Sequence, residues 1–154
     1  SLLLRYGSYI PTKRRGEAMR SEIFKYRWPL LGIAALLASS AGAATVAWNA
    51  QQQSQALAIA MVGGDPGRAP DIIRRYGCAG CHTIPGIPGG DGQVGGPLVD
   101  IKRRVYVGGV VPNSPENLIR WIVAPQMFSS RSAMPVTGIS EAEGRDVATY
   151  LYSR

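Results

Sequence analysis

The sequence predicts an all-α protein in which a single N-terminal transmembrane helix is followed by one small helical domain. An uncharged apolar run covers residues 30–47, and helix-start signals precede the apolar segments of the second half of the chain. No alternation of apolar and polar residues is long enough to indicate a sheet. A length of 154 residues suits one such domain with appendages.

The apolar run has the length and the borders of a membrane span. Twenty residues separate Trp28 from Trp48, which corresponds to a helix of ~30 Å, about the thickness of a hydrocarbon core. Indole rings favour the two membrane interfaces. We therefore expect one transmembrane helix over residues 28–48.

Charge is distributed unevenly about this span. Seven basic and two acidic residues precede it, whereas ten basic and seven acidic residues occur from Arg68 onward, within a net charge of +7. The positive-inside rule then places an arm of residues 1–27 in the cytoplasm and the remainder outside, as in a single-pass protein of a bacterial inner membrane. Because much of the excess charge lies on one side of the span, we expect no nucleic-acid partner.

A cleaved signal peptide is the rival interpretation of the N-terminal segment. Small residues in SSAGAA would suit cleavage after about Ala44 and release of a soluble shuttle, and Met19 could be the true start. The apolar run is long for a signal peptide, which favours a retained anchor.

Residues 49–69 are predicted to form a helical extension outside the membrane and a short linker. Ala50–Val62 can continue the helix, and its apolar part could lie on another subunit. Gly63-Gly64 and Asp65-Pro66 then end the helix.

Residues 70–154 are predicted to form the soluble domain, with three helices. The first covers residues 70–76, with Ile72, Ile73 and Tyr76 on one face. The second follows Ser114 as N-cap and ends near Pro125, and the third follows a capping box at Ser140 and ends near Tyr152. Residues 83–97 are too rich in Gly and Pro for regular structure, and residues 102–111 are predicted to be partly extended.

One short motif concentrates the chemistry of the chain. Cys78 and Cys81 are its two cysteines and His82 its only histidine, and all three fall within five residues. C-x-x-C-H is the sequence of covalent c-type haem attachment. A redox dithiol would need a βαβ pattern, a zinc site would need four ligands, and a disulfide would leave His82 to chance. We therefore predict one haem c, bound through both thiols, with His82 as an iron ligand.

A sixth iron ligand must be a methionine if it comes from this chain. Met134 is favoured, because Pro135 keeps its backbone out of a helix, and Met127 in the same segment is the alternative. His/Met ligation suits electron transfer and leaves no position for a small-molecule substrate. We thus expect an electron-transfer protein, not an enzyme.

Residues 71–152 resemble the class I cytochrome c family. The matching pieces are YGCAGCH (76–82), GGPLVDI (95–101), SPENLIRWI (114–122) and SAMPVTGISEAEGRDVATYLY (132–152). The resemblance implies a class I cytochrome c-like haem domain with Met134 as axial ligand.

The same resemblance implies further contacts. It implies that the Pro97 carbonyl accepts from the imidazole Nδ1–H of His82, that Leu98 packs on the haem, and that Tyr106 and Trp121 approach the propionates. The anchored architecture is similar to cytochromes that accompany bacterial haem-copper oxidases. That likeness implies electron-donor and electron-acceptor proteins as partners, as subunits of a membrane complex.

Other interpretations carry less support. A haem sensor or catalytic subunit would use a displaceable Met134. The G-x-G-x-x-G pattern at residues 90–95 has prolines on both sides, which argues against a dinucleotide site. Residues 102–104, KRR, suit a docking patch, a pairing with haem propionates, or simply a solvated face.

Overall fold

The computed structural model describes the backbone of residues 14–154 and the side chains of residues 27–154. Its helices are α1 (Arg14–Val62), α2 (Ala69–Arg75), α3 (Pro115–Val123) and α4 (Glu141–Tyr152). Residues 48–154 form one compact unit, and the described residues before them, 14–47, belong to another. Met19, the possible true start, and most of the predicted cytoplasmic arm lie outside the residues whose side chains are described.

Helix α1 contains the candidate membrane span. Its part from Arg27 to Val62 is 36 residues long and contains an 18-residue window with a mean hydropathy of 1.9, which is long and apolar enough to cross a membrane. The hydroxyls of Ser39 and Ser40 donate to the carbonyls of Ala35 and Leu37, at 2.8 and 2.9 Å. These bonds satisfy polar groups within the helix itself, as a lipid environment requires.

The last turns of α1 belong to the unit of residues 48–154. Ala58 and Val62 are buried in its core at 2% and 4% exposure, while Leu57 and Met61 remain exposed. The side chains of Gln51 and Ser54 donate to the Ser153 carbonyl at 3.4 and 3.2 Å. The helix therefore extends to Val62 as predicted, and the buried part of its apolar face packs on its own chain.

The segment after α1 is held against α4. The Gly64 amide donates to Thr149 Oγ1 at 3.1 Å, and the Asp65 amide donates to Asp146 Oδ1 at 2.8 Å. Gly63 has a φ of +79°, which favours glycine and ends the helix. These bonds fix the short linker on the domain.

Helices α3 and α4 begin at the capping residues that the sequence analysis predicted. Ser114 accepts from the Asn117 amide at 3.2 Å, with Pro115 in the first turn of α3. Ser140 and Glu143 form the reciprocal capping box of α4. Helix α4 packs against α2 and α3, and their buried aliphatic side chains form the core (Ile72, Ile73, Leu118, Ile119, Ile122, Val147, Leu151).

The remaining segments are loops and short turns. Residues 83–97 contain no helix or strand beyond one isolated bridge, as predicted. The segment predicted to be partly extended begins with a 3-10 turn, Ile101–Arg103. It continues as an antiparallel hairpin of β1 (Tyr106–Val107) and β2 (Val111–Pro112), with Val107 opposite Val111. The described part of the chain is thus mostly helical.

Candidate functional site

A crevice opens between the helices of the domain and its loops. Its larger cavity has a volume of about 250 Å³, and a smaller cavity of about 120 Å³ lies next to it. Cys78, His82 and Met134 line both cavities, so we treat the two as parts of one crevice. The inner wall is aliphatic and comes from α2, α3 and α4 (Ile73, Leu118, Ile122, Val147, Leu151).

The Cys-x-x-Cys-His segment forms a tight turn at the mouth of the crevice. Gly77, with a φ of +70°, leads into a 3-10 turn over Cys78–Gly80. The amides of Cys81 and His82 donate to the Cys78 carbonyl at 3.2 and 3.0 Å. The turn therefore brings residues three and four apart in sequence to one side of the crevice.

The two cysteines are free thiols in different surroundings. Cys78 is half-buried and Cys81 is exposed. Burial raises the pKa of the Cys78 thiol above its usual range, and the nearby Cys81 adds to this. Cys78 is consequently a neutral thiol at neutral pH.

The imidazole of His82 is oriented by a backbone carbonyl. Its Nδ1 lies 2.7 Å from the Gly96 carbonyl oxygen. When Nδ1–H donates to a carbonyl, the neutral ring keeps its lone pair on Nε2, the form that binds a metal.

The expected acceptor for His82, the Pro97 carbonyl, is not the one that the structure shows. The Pro97 carbonyl instead accepts from the guanidinium of Arg104, which also donates to the Val99 carbonyl. Pro97 lines neither cavity. The acceptor moves one residue earlier because the glycine pair 95–96 lets the backbone approach the ring closely.

Glycines in the loop allow the backbone to wrap around the motif. A Cβ at Gly95 would overlap the imidazole of His82. A Cβ at Gly92 would lie 2.6 Å from the carbonyl carbons of Gly80 and Cys81. These close approaches explain the glycine pattern at residues 90–95, which neither follows a strand nor begins a helix.

Met134 comes from a different segment of the chain and has supporting contacts of its own. It lines both cavities, whereas Met127 is 71% exposed and lines neither. Gln126 Nε2 donates to the Met134 carbonyl at 2.7 Å, and the Met134 amide donates to Ser132 Oγ at 3.3 Å. Two polar side chains thus hold the backbone at Met134.

The other predicted site residues lie at the larger cavity. Leu98, Tyr106 and Trp121 line it, with Leu98 and Trp121 half-buried and Tyr106 exposed. A Cβ at Gly108, which has a φ of +57°, would overlap the indole of Trp121. The hairpin turn thereby packs directly on this ring.

Arg104 and Asn113 line the same cavity, and sequence reasoning assigned neither of them individually. Asn113 Nδ2 donates to the carbonyls of Ile101 and Arg104 at 2.7 and 2.9 Å, and Tyr152 Oη donates to Asn113 Oδ1 at 2.8 Å. The network connects the end of α4 to the loop that bears Arg104. No local sequence signal marks Asn113 beyond its position just before the Ser114 cap.

Metal-ligating side chains do not converge in the way that a zinc site requires. Among the described residues, no three His, Cys, Asp or Glu side chains lie close enough together to hold a metal ion. The donor set of the crevice is instead two thiols, one imidazole and one thioether beside an apolar wall.

Comparison with known proteins gives one similarity to part of the chain. The chain is 31% identical over 84 residues to cytochrome c oxidase subunit 2 of Alkalihalophilus pseudofirmus, a match covering 53% of this chain and 23% of that protein. The chain thus spans about a quarter of the relative's length. No family model and no solved structure matches the chain.

Proposed function

We propose that this chain is a membrane-anchored monohaem c-type cytochrome that transfers single electrons on the extracytoplasmic side of a bacterial inner membrane. The observation that carries the proposal is the crevice itself, at which Cys78, Cys81, His82 and Met134 come together. Its domain is of the class I cytochrome c type.

The residues of the crevice fit a covalently bound haem. Cys78 and Cys81 are free thiols at its mouth and would form the two thioether bonds. His82 and Met134 would be the axial ligands. A haem c with this ligand pair supplies one-electron redox chemistry at a potential raised by the methionine.

Hydrogen bonds within the chain orient the two proposed axial ligands, His82 and Met134. The Gly96 carbonyl orients the His82 ring and increases its basicity, because it accepts the Nδ1 proton. Gln126 and Ser132 hold the Met134 backbone in place. The aliphatic wall excludes water, which favours the less charged state of a buried redox centre and so a higher potential.

Two other functions of a Cys-x-x-Cys pair have less support. A zinc site conflicts with the lack of a converging ligand group among the described residues. A thioredoxin-like dithiol is set on a βαβ unit, whereas the only sheet in residues 70–154 is a hairpin of two strands with two residues each.

The similarity to an oxidase subunit supports membership of a respiratory electron-transfer complex. The relative is named as cytochrome c oxidase subunit 2. We therefore propose a haem-copper oxidase, or a related complex, as the setting, with the chain as a subunit or tethered carrier. The partners are then an electron donor and an electron acceptor, with no small-molecule substrate and no nucleic acid.

Visible spectra of the full chain, made with c-type haem maturation, test the ligand assignment. The unaltered protein should show a c-type haemochrome when reduced and a weak far-red Met–Fe(III) band when oxidised. Met134→Ala should abolish that band, whereas Met127→Ala should retain it. Persistence of the band in Met134→Ala would remove Met134 from the iron, and no haemochrome in any variant would refute the cytochrome.

A haem sensor is the second candidate function, and one structural observation supports it. Met134 is half-buried in residues 128–140, a segment without helix or strand. Such a segment can release a ligand at lower cost than a packed helix. Rapid carbon monoxide binding to the reduced protein at neutral pH would favour the sensor, and slow or absent binding would favour the electron carrier.

A further inference from the structure

Ion pairs are concentrated at one end of the unit of residues 48–154. The described pairs in this unit are Arg68–Asp146, Arg74–Asp71, Arg75–Glu143 and Arg145–Glu141. All of them lie on α2, on the first half of α4, or on the segment between α1 and α2. The basic side chains at this end are therefore largely neutralised.

The opposite end of the unit is the one nearest to Trp48. Helix α4 runs antiparallel to the last turns of α1, because Thr149 meets Gly64 whereas Ser153 meets Gln51 and Ser54. The end of α4 thus lies beside the beginning of the helical extension, next to the residue expected at the membrane interface.

Within the described residues, Lys102 and Arg103 at this end have no acidic partner, and neither has Arg154, whose guanidinium stacks on the Tyr150 ring. Lys102 Nζ donates to Ser54 Oγ at 2.9 Å, which uses one of its three N–H groups. Arg103 is exposed, and its guanidinium has no hydrogen-bond or ion-pair partner within the described residues, whereas its backbone amide donates to the Asp100 carbonyl. We name Lys102 and Arg103 the basic ledge. Arg104 is excluded from it, because its guanidinium turns back to the carbonyls of Pro97 and Val99.

The basic ledge lies near the outer edge of the lipid headgroup layer. Ser54 follows Trp48 by six residues, a rise of ~9 Å along the helix. The headgroup region on each side of a bilayer is roughly 5–8 Å thick. The Lys102 ammonium, bonded to Ser54, therefore lies at the outer edge of the headgroup layer if Trp48 marks the edge of the hydrocarbon core.

We infer that the basic ledge binds anionic phospholipid headgroups beside the chain's own anchor. Lys102 and Arg103, beside the single acid Asp100, leave net positive charge that complements a negatively charged bilayer surface, and each basic residue near such a surface strengthens the contact about fivefold. An acidic protein partner is the other occupant that the charge would suit. The lipid is favoured because the ledge borders the helix that continues from the candidate span.

Lys102 provides a specific reporter for this contact. It is the only lysine on the C-terminal side of Lys25, so amine-reactive labelling outside the membrane reports on this residue. The full haem-loaded chain is placed in nanodiscs of phosphatidylcholine alone, or of phosphatidylcholine and phosphatidylglycerol in equal amounts. The labelling rate of Lys102 is then measured by peptide mass spectrometry.

The inference predicts that Lys102 labels several-fold more slowly in the phosphatidylglycerol discs, and that about 1 M salt removes the difference because the screening length falls to ~3 Å. Arg103→Gln should weaken the slowing about fivefold. Arg131→Gln is the matched control, since Arg131 is also an exposed arginine without a partner in the described structure, and it should behave like the unaltered chain.

Three results would overturn the inference. Equal labelling rates in the two kinds of disc would show no lipid contact at the ledge. Equal slowing in Arg103→Gln and Arg131→Gln would assign the effect to the general surface potential. Slowing that appears only when a purified oxidase complex is added would assign the ledge to a protein partner. None of these readouts depends on electron transfer, so the inference and the cytochrome proposal fail separately.

Discussion

The helical side and the loop side of the crevice are built in different ways. On the helical side, Ile73 and Leu151 are buried at 0% and 2% exposure between packed helices. On the loop side, Cys81 is exposed and His82 and Met134 are half-buried in segments held by a few hydrogen bonds. The difference indicates that the helices supply shape and stability, whereas the loops supply the chemistry and need glycine contacts to place it.

Truncating the helical side should have the largest effect on stability. Leu151→Ala removes a buried side chain from the crevice wall and should lower the free energy of unfolding by about 2–5 kcal/mol. Met127→Ala, at a side chain 71% exposed, should change it by less than ~0.5 kcal/mol. Urea unfolding followed by circular dichroism measures both. Equal midpoints would mean that the helices are not the scaffold.

A methyl group on the loop side should disturb ligation more than stability. Gly95→Ala places a Cβ where it overlaps the His82 imidazole and should cost about 1–3 kcal/mol, with an altered haem spectrum. Gly96→Ala is the neighbouring control, because its Cβ would meet nothing within 4 Å. Identical spectra for the two variants would contradict the close approach of this loop to the ring.

Removal of the α4 cap should have a moderate effect. Ser140 accepts from the Glu143 amide, so Ser140→Ala should lower the free energy of unfolding by about 1 kcal/mol. Ser129→Ala serves as control, since no hydrogen bond of the Ser129 hydroxyl is described. Thermal unfolding of both variants would detect the difference, and equal melting temperatures would show that the cap adds nothing.

The smallest effect on stability should come from the hydrogen bond between Tyr76, which follows α2, and Glu143 in the first turn of α4. Glu143 accepts from Tyr76 Oη at 2.9 Å, next to the Cys-x-x-Cys turn. Hydrogen bonds from Ser140, then from Tyr76, hold the pKa of Glu143 below its usual range. A lowered pKa stabilises the fold above the unfolded-state pKa of ~4.3, and this contribution is lost as pH falls through the folded value.

Glu143→Gln should therefore lose stability at neutral pH and lose less on acidification than the unaltered chain. Urea midpoints measured at neutral pH and at a pH well below ~4.3 test this difference. Glu141→Gln is a suitable control, because Glu141 is an exposed carboxylate of the same turn that pairs only with Arg145 in the described structure. Parallel pH profiles for Glu143→Gln and the unaltered chain would contradict the linkage.

Sequence reasoning predicted the features that local signals determine. The Ser114 and Ser140 caps and the glycine at residue 63 act on residues within one turn, and the helices begin and end where these signals lie. The Cys-x-x-Cys-His motif is contiguous, so its residues needed no fold to be recognised. The partly extended segment was also predicted, although its 3-10 turn was not.

Contacts between distant residues were not predictable from the same signals. The bond from Gln126 to the Met134 carbonyl and the Tyr152–Asn113 bond join separate elements, and neither residue stands out locally. The Gly96 carbonyl replaced the expected Pro97 because the acceptor depends on how closely the loop approaches His82. The packing of Ala58 and Val62 on their own domain likewise requires the tertiary fold.

The most direct test of the central claim is whether haem stays on the polypeptide after complete denaturation. The chain, produced with c-type maturation, is separated on a denaturing gel and stained for haem peroxidase activity, beside Cys78→Ser/Cys81→Ser and the control Ala79→Ser. We predict a stained band for the unaltered chain and for Ala79→Ser, and none for the double variant. An unstained band for the unaltered chain, or equal staining of the double variant, would contradict covalent haem attachment at this motif.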